Sequence, residues 1–161
     1  MPRKPSILVV DDSSDDREML TEYLAFRGFH TAEAQDGREA IEVARRIQPN
    51  VILMDLSMPV VDGWEATRQL KADPLTKDII IIAVTARAFL PEQESARVAG
   101  CDAVIAKPYD LAVLASELDR TISRGLAAFD AKGIAAKAAP RQAPREKSVK
   151  PSRSHDRVRT T

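Results

Sequence analysis

Four runs of consecutive apolar residues constrain the fold more than any other feature of the chain: Ile7 to Val10, Val51 to Met54, Ile79 to Val84 and Ala103 to Ala106. None alternates apolar with polar residues, and Ile and Val dominate the strongest of them. A strand with one wet face would alternate, so these runs read as strands buried on both faces, as in a parallel sheet covered by helices. A weaker run, Phe29 to Glu33, supplies a fifth strand.

Helical spacing fills the intervals. Met19, Leu20, Tyr23 and Leu24 share one face, as do Ala40, Ile41, Ala44 and Ile47, and later Leu111, Leu114, Leu118 and Ile122. Gly28 is placed to end the first helix, Pro49 to stop the second, and Asp62 with Glu65 to open the third as a capping-box variant. A fourth helix is expected to start between Ala88 and Glu92, with Pro91 tolerated in its first turn. Five strands alternating with five helices through right-handed crossovers give an α/β three-layer sandwich. The expected arrangement is the flavodoxin-like (βα)5 fold with parallel sheet order 2-1-3-4-5.

That architecture needs residues 1–124. Formal charge is zero over the 161 residues, with 24 Lys/Arg and 24 Asp/Glu. Residues 125–161, however, hold nine of the basic residues and only three of the acidic ones, so an acidic domain carries a basic Ala/Pro/Lys/Arg-rich tail. Beyond Ile134 the tail offers almost nothing to bury and is expected to be disordered. The single cysteine, Cys101, forms no internal bridge and suits a reducing compartment as a small buried residue. The basic N-terminus precedes only four apolar residues, too few for a signal-peptide core, and no run reaches the roughly 18 of a membrane span. A soluble, cytoplasmic protein with no membrane insertion is expected.

The strand ends carry the chemistry. Ligands of such sheets bind outside the carboxyl ends of the strands, where strand order reverses. Strand 1 ends in Asp11-Asp12, strand 3 in Asp55, strand 4 in Thr85 and strand 5 in Lys107. In the order 2-1-3-4-5 the first and third strands are neighbours about 4.8 Å apart, so three carboxylates converge and repel. A hard divalent cation relieves this, and Mg²⁺ takes one or two carboxylates together with waters and phosphate oxygens. Thr85 can donate its hydroxyl to a phosphoryl oxygen, and Lys107, roughly 10 Å away, can reach back with its ammonium. Asp55 is then the candidate nucleophile for phosphoryl transfer. Each residue has a plainer role when taken alone: the acids as helix caps, Thr85 as a turn residue, Lys107 as a solvated charge. Their coincidence at the same ends of four strands argues for the chemical reading. Pro108 opens the option of a cis bond after Lys107.

With these residues in hand, the chain resembles the receiver domains of two-component response regulators over about residues 5 to 123. The resemblance rests on I7-L-V-V-D-D, L53-M-D-L-S-M-P-V-V-D-G-W-E, A83-V-T-A and A99-G-C-D-A-V-I-A-K-P. It implies that Asp55 accepts phosphate from a phosphohistidine on a sensor histidine kinase or a histidine phosphotransfer protein. Asp12, Asp55 and the Ser57 backbone carbonyl would ligate Mg²⁺, with Asp11 acting mainly through bound water. Thr85 and Lys107 would hold the phosphoryl oxygens, while Asp62 and Gly63 would have structural roles. Ser57 and Arg87 occupy positions that tune phosphoryl lifetime in the family. One departure concerns Val104, which stands where an aromatic residue commonly turns inward. An aromatic-coupled switch is therefore not expected, and the signal is expected from loop shifts around Thr85 and the fourth helix.

The resemblance implies a stand-alone phosphorelay receiver that acts by switching its binding to a downstream protein target, not a turnover enzyme. Two other readings stand beside it. The basic tail could add nucleic-acid or anionic-surface binding by charge alone, without base stacking because no aromatic follows Phe129. An aspartyl-phosphate phosphatase of the haloacid-dehalogenase type is disfavoured, because its D-x-D-x-T motif would follow the first strand, where D11-D-S-S-D stands instead.

Overall fold

The computed structural model describes residues 3–58, 63–86 and 90–130. Five strands, β1 (Ser6–Val10), β2 (His30–Ala34), β3 (Val51–Asp55), β4 (Ile80–Thr85) and β5 (Ala103–Ala106), form one parallel sheet in the order β2-β1-β3-β4-β5. Between and after them run α1 (Ser14–Phe26), α2 (Gly37–Ile47), α3 (Gly63–Ala72), α4 (Leu90–Ala99) and α5 (Leu111–Arg124). This is the expected (βα)5 sandwich. Its strand bounds fall within a residue of those read from the apolar runs.

Side-chain alternation divides the core into two layers. Leu8, Val10, Ile52, Met54, Ile81 and Ala83 face one way, against α2, α3 and α4. Ile7, Val9, Val51, Leu53, Ile82, Val84 and Ile105 face the other, against Leu20 and Leu24 of α1 and Leu114 and Leu118 of α5. Each fully buried Leu or Ile contributes on the order of 1.5–3 kcal/mol, which is why β1, β3, β4 and β5 carry no polar residue in their interiors, whereas β2, at the sheet edge, admits Thr31 and Glu33.

Helix ends are secured locally. Ser13, Asp36 and Asp110 accept hydrogen bonds from Asp16, Glu39 and Val113 backbone N–H groups at the starts of α1, α2 and α5. At the end of α1, Gly28 (φ +97°) lets its own N–H reach the Ala25 carbonyl and the Phe29 N–H reach that of Leu24. Phe29 is thereby buried as the partner of this turn, and β2 begins one residue later than the apolar run suggested.

Some expectations fall differently. Met19 and Ile47, read as core residues, are 52% and 39% exposed, because each lies at the margin of its helix's apolar stripe. The Asp62 half of the capping box at α3 lies outside the described residues, and Glu65 is engaged by Arg68 and Gln69 of its own helix. After Arg124, residues Leu126–Ala128 form a 3₁₀ turn and Phe129 packs against the α1/α5 layer. Residues 131–161, and with them most of the expected tail, lie outside the described residues, as does Arg87. Among the described residues no helix is long and apolar enough to cross a membrane.

Candidate phosphoryl-transfer site

Alternation also aims the charged residues. Asp55 follows Val51 and Leu53 on the α1/α5 side of the sheet. Asp11 continues the parity of Ile7 and Val9, and Lys107 that of Ile105. A shift of one residue in any of these strands would turn its group to the opposite face.

The result is a cluster at the carboxyl edge. Asp11, Asp12 and Asp55 each bring a carboxylate oxygen within 4.8 Å of the others. Asp55 and Asp11 are buried, at 6% and 8% exposure, whereas Asp12 is open to solvent. The Lys107 Nζ lies 3.2 Å from Asp11 Oδ2 and 3.9 Å from Asp55 Oδ2. The two oxygens of Asp55 are thus differentiated: Oδ1 accepts the Ser57 N–H at 2.8 Å, and Oδ2 faces the ammonium. Thr85, buried at the end of β4, stands one residue beyond Val84, the register partner of Asp55. The Lys107 N–H donates to the Thr85 carbonyl at 2.8 Å, and the Lys107–Pro108 bond is cis.

Electrostatics follow from burial and crowding. The Asp55 carboxyl is pushed above its ordinary value chiefly by burial; the Ser57 N–H and Lys107 oppose this, while Asp11 and Asp12 reinforce it. Burial works against the Lys107 charge, but Asp11, Asp55 and Asp16 together outweigh it and hold the ammonium above its ordinary value. Tyr109, two residues on, is pushed up to about 12 by burial and by Asp11, Asp16 and Asp55. A set of oxygen donors alone, with one exposed carboxylate, suits a hard cation and not a soft one.

Asp11, Asp12, Asp55, Ser57, Thr85 and Lys107, the six residues given a chemical role from the sequence, lie at this edge, with Ser57 contributing the N–H described above. Arg17 was not singled out from the sequence, and Gly63 only as structural. Arg17 donates from Nη1 to the Asp11 carbonyl at 2.8 Å while its Nε pairs with Glu33 at 3.1 Å, fixing the loop that carries Asp11 and Asp12. Gly63 allows a close approach: a Cβ there would sit 2.3 Å from the Asp55 carbonyl oxygen and 2.9 Å from Leu56 Cα. The glycine was noticed, but only the crossing of α3 over the end of β3 shows what it accommodates. Val104 is half-buried against the α2/α3/α4 layer.

Comparison with known proteins is consistent with this geometry. Residues 7–119 match the family model of the response regulator receiver domain. The polar-differentiation response regulator DivK of Brucella anthropi is 37% identical over 108 residues, covering 67% of this chain and 86% of DivK. Chemotaxis protein CheY4 of Vibrio cholerae superposes with a TM-score of 0.70 at 28% identity, covering 73% of this chain and 98% of CheY4. The receiver domain of sensor histidine kinase PA1611 from Pseudomonas aeruginosa, which has a magnesium ion coordinated in its active-site cleft, superposes with a TM-score of 0.67 at 32% identity. That match covers 78% of this chain and 99% of the PA1611 domain.

Proposed function

The chain belongs to the response regulator receiver domain family and serves phosphorelay signalling, and we propose that Asp55 is the side chain on which it accepts the phosphoryl group. The observation that carries this reading is the asymmetric setting of that carboxylate. A backbone N–H holds Oδ1, leaving Oδ2 turned to Lys107 among two further acids.

In the proposed reaction an Asp55 oxygen attacks the phosphorus of a phosphohistidine. A P–O bond forms, the P–N bond breaks, and the departing imidazole nitrogen keeps the electron pair and takes a proton from solvent. Lys107 balances the charge on the phosphoryl oxygens, and Thr85 donates its hydroxyl to one of them. Mg²⁺, held by Asp12, Asp55 and the Ser57 carbonyl with Asp11 behind, would neutralise the acids and polarise the phosphoryl oxygens. The phosphodonor is a sensor histidine kinase or a histidine phosphotransfer protein, the consequence is altered binding to a downstream protein, and the compartment is the cytoplasm. The chain modifies only itself and turns over no separate substrate. We further read residues 1–124 as the signalling unit and 125–161 as a basic appendage.

The test is mass measurement after treatment with a small-molecule phosphodonor and Mg²⁺. The wild-type chain should gain one phosphoryl group and Asp55→Asn none. Equal gain by both, or gain by neither, removes Asp55 from this role.

A further inference from the structure

Lys107 has one more acidic neighbour than the acceptor chemistry uses. Its Nζ lies 3.2 Å from Asp11 and 3.9 Å from Asp55, and also 3.9 Å from Asp16 in the first turn of α1. Asp16 stands outside the converging carboxylates of Asp11, Asp12 and Asp55. Its side chain is 56% exposed, and its backbone N–H donates to the Ser13 hydroxyl at 3.3 Å, which anchors the residue at the mouth of the site. The contact with Lys107 sets Asp16 apart from exposed acids such as Asp15, Glu18, Glu42, Asp78 and Asp119, none of which approaches that ammonium.

The charge on Asp16 is uncompensated where phosphoryl transfer occurs. Once Mg²⁺ is held by the cluster, the ion and Lys107 together balance Asp11, Asp12 and Asp55, and Asp16 remains as a negative charge in excess. It also borders open space. Asp16, Met19, Lys107, Pro108, Tyr109 and Leu111 line a hollow of about 540 Å³ in which Asp16 is the acid and Lys107 the base. Phosphoryl transfer to Asp55 runs in line, so the leaving group departs on the side away from the buried strand, where Lys107 opens onto this hollow.

We propose that Asp16 selects among phosphodonors by the charge of their leaving group, favouring phosphoramidates such as phosphohistidine over acyl phosphates, a selectivity that presupposes Asp55 as the acceptor. Both donor classes present the same dianionic phosphoryl group at neutral pH, and both form the same P–O bond to Asp55. They differ in the bond that breaks. A phosphoramidate loses its P–N bond, and the nitrogen base keeps the electron pair; because it already carries a proton, it is cationic while bound and departs neutral. An acyl phosphate loses its P–O bond to the carboxylate, which keeps the electron pair and departs as an anion. Asp16 attracts the first leaving group and repels the second, over a distance short enough for one charge to matter.

Initial rates of phosphorylation of the full chain by phosphoramidate and by acetyl phosphate, read by intact mass at saturating Mg²⁺, test this. In Asp16→Asn the ratio of the acetyl phosphate rate to the phosphoramidate rate should rise about threefold or more over wild type, and in Asp16→Lys it should rise further. Asp15→Asn, the same loss of charge one residue away, should leave the ratio unchanged, and about 0.5 M NaCl should shrink the shift in the Asp16 variants. Both donors are measured on one preparation, so a partly unfolded variant loses both rates alike and keeps its ratio. Equal acceleration with the two donors would overturn the proposal, because Asp16 would then only restrain Lys107. Rates that do not change at all, or an equal shift in Asp15→Asn, would overturn it too, while Asp55-dependent labelling, and with it the acceptor assignment, stands. No labelling of wild type by either donor would remove the acceptor and this selectivity together.

Discussion

Replacing Asp55 with asparagine should stabilise the metal-free fold. Asp55 is buried beside two other carboxylates, each with an oxygen within 4.8 Å, and at an effective dielectric of ~20 each such repulsion costs about 3.5 kcal/mol or more. The attraction to Lys107 at 3.9 Å returns about 4 kcal/mol, leaving a deficit of about 3 kcal/mol before screening and the desolvation of the carboxylate. Asparagine removes that charge, keeps an oxygen for the Ser57 N–H, and leaves Lys107 paired with Asp11 at 3.2 Å. Allowing for screening, Asp55→Asn should gain about 1–3 kcal/mol at pH 7 in EDTA and low salt, or a Tm rise of roughly 3–10 °C for a domain of this size.

The pH dependence fixes the cause. The folded Asp55 carboxyl sits above its ordinary value of 3.8, so between the two values the native chain binds more proton than the unfolded one. Wild-type stability therefore falls as pH rises through that window, and the variant's advantage should vanish as pH is lowered through the folded value to below 3.8. Saturating Mg²⁺ should narrow or reverse the order, since a ligand at 100 times its Kd stabilises the native state by about 2.7 kcal/mol. Calorimetric scans in EDTA and in Mg²⁺, from pH 3 to 8, measure all three effects. A variant no more stable than wild type in EDTA at pH 7, or a gain independent of pH, would refute the reasoning.

Lys107→Met should lower stability at pH 7 by about 1–2 kcal/mol, less than for a fully buried pair because the lysine side chain keeps 28% exposure. The contribution of Lys107 should be fully present below pH 10.5 and be lost as pH rises from there through the higher folded value, which denaturant titrations at pH 8 and 11 would begin to resolve. Gly63→Ala would ordinarily favour a helix by up to about 1 kcal/mol, but a Cβ 2.3 Å from the Asp55 carbonyl oxygen reverses the sign. A net loss of about 1–3 kcal/mol in urea unfolding is expected, and an unchanged midpoint would contradict the close approach. Arg17→Ala leaves the Asp11 carbonyl without its 2.8 Å donor; it should cost about 1–2 kcal/mol and weaken Mg²⁺ binding several-fold by titration calorimetry. Unaltered affinity for the ion would show that the loop holds its shape without Arg17.

What was legible in the sequence depended on distance along the chain. Unalternating runs such as Val51 to Met54 could be read as doubly buried strands because period and composition are local properties, and the acids, Thr85 and Lys107 could be placed because they follow those runs directly. Met19 could not be read correctly, since helical spacing does not show where the covering layer stops. Arg17, and what the structural role of Gly63 consists of, were opaque for a similar reason. Their partners, the Asp11 carbonyl with Glu33 in one case and the Asp55 backbone in the other, become neighbours only after crossovers have closed.

The sequence by itself determined the layered fold, the strand order and the set of residues at the carboxyl edge, because hydrophobic period and chain connectivity suffice for these. Tertiary structure decided which oxygen of Asp55 is held and which faces Lys107, and why that carboxyl resists ionisation. Those outcomes turn on separations of a few ångströms and on burial, and both arise only where segments distant in the chain are packed together.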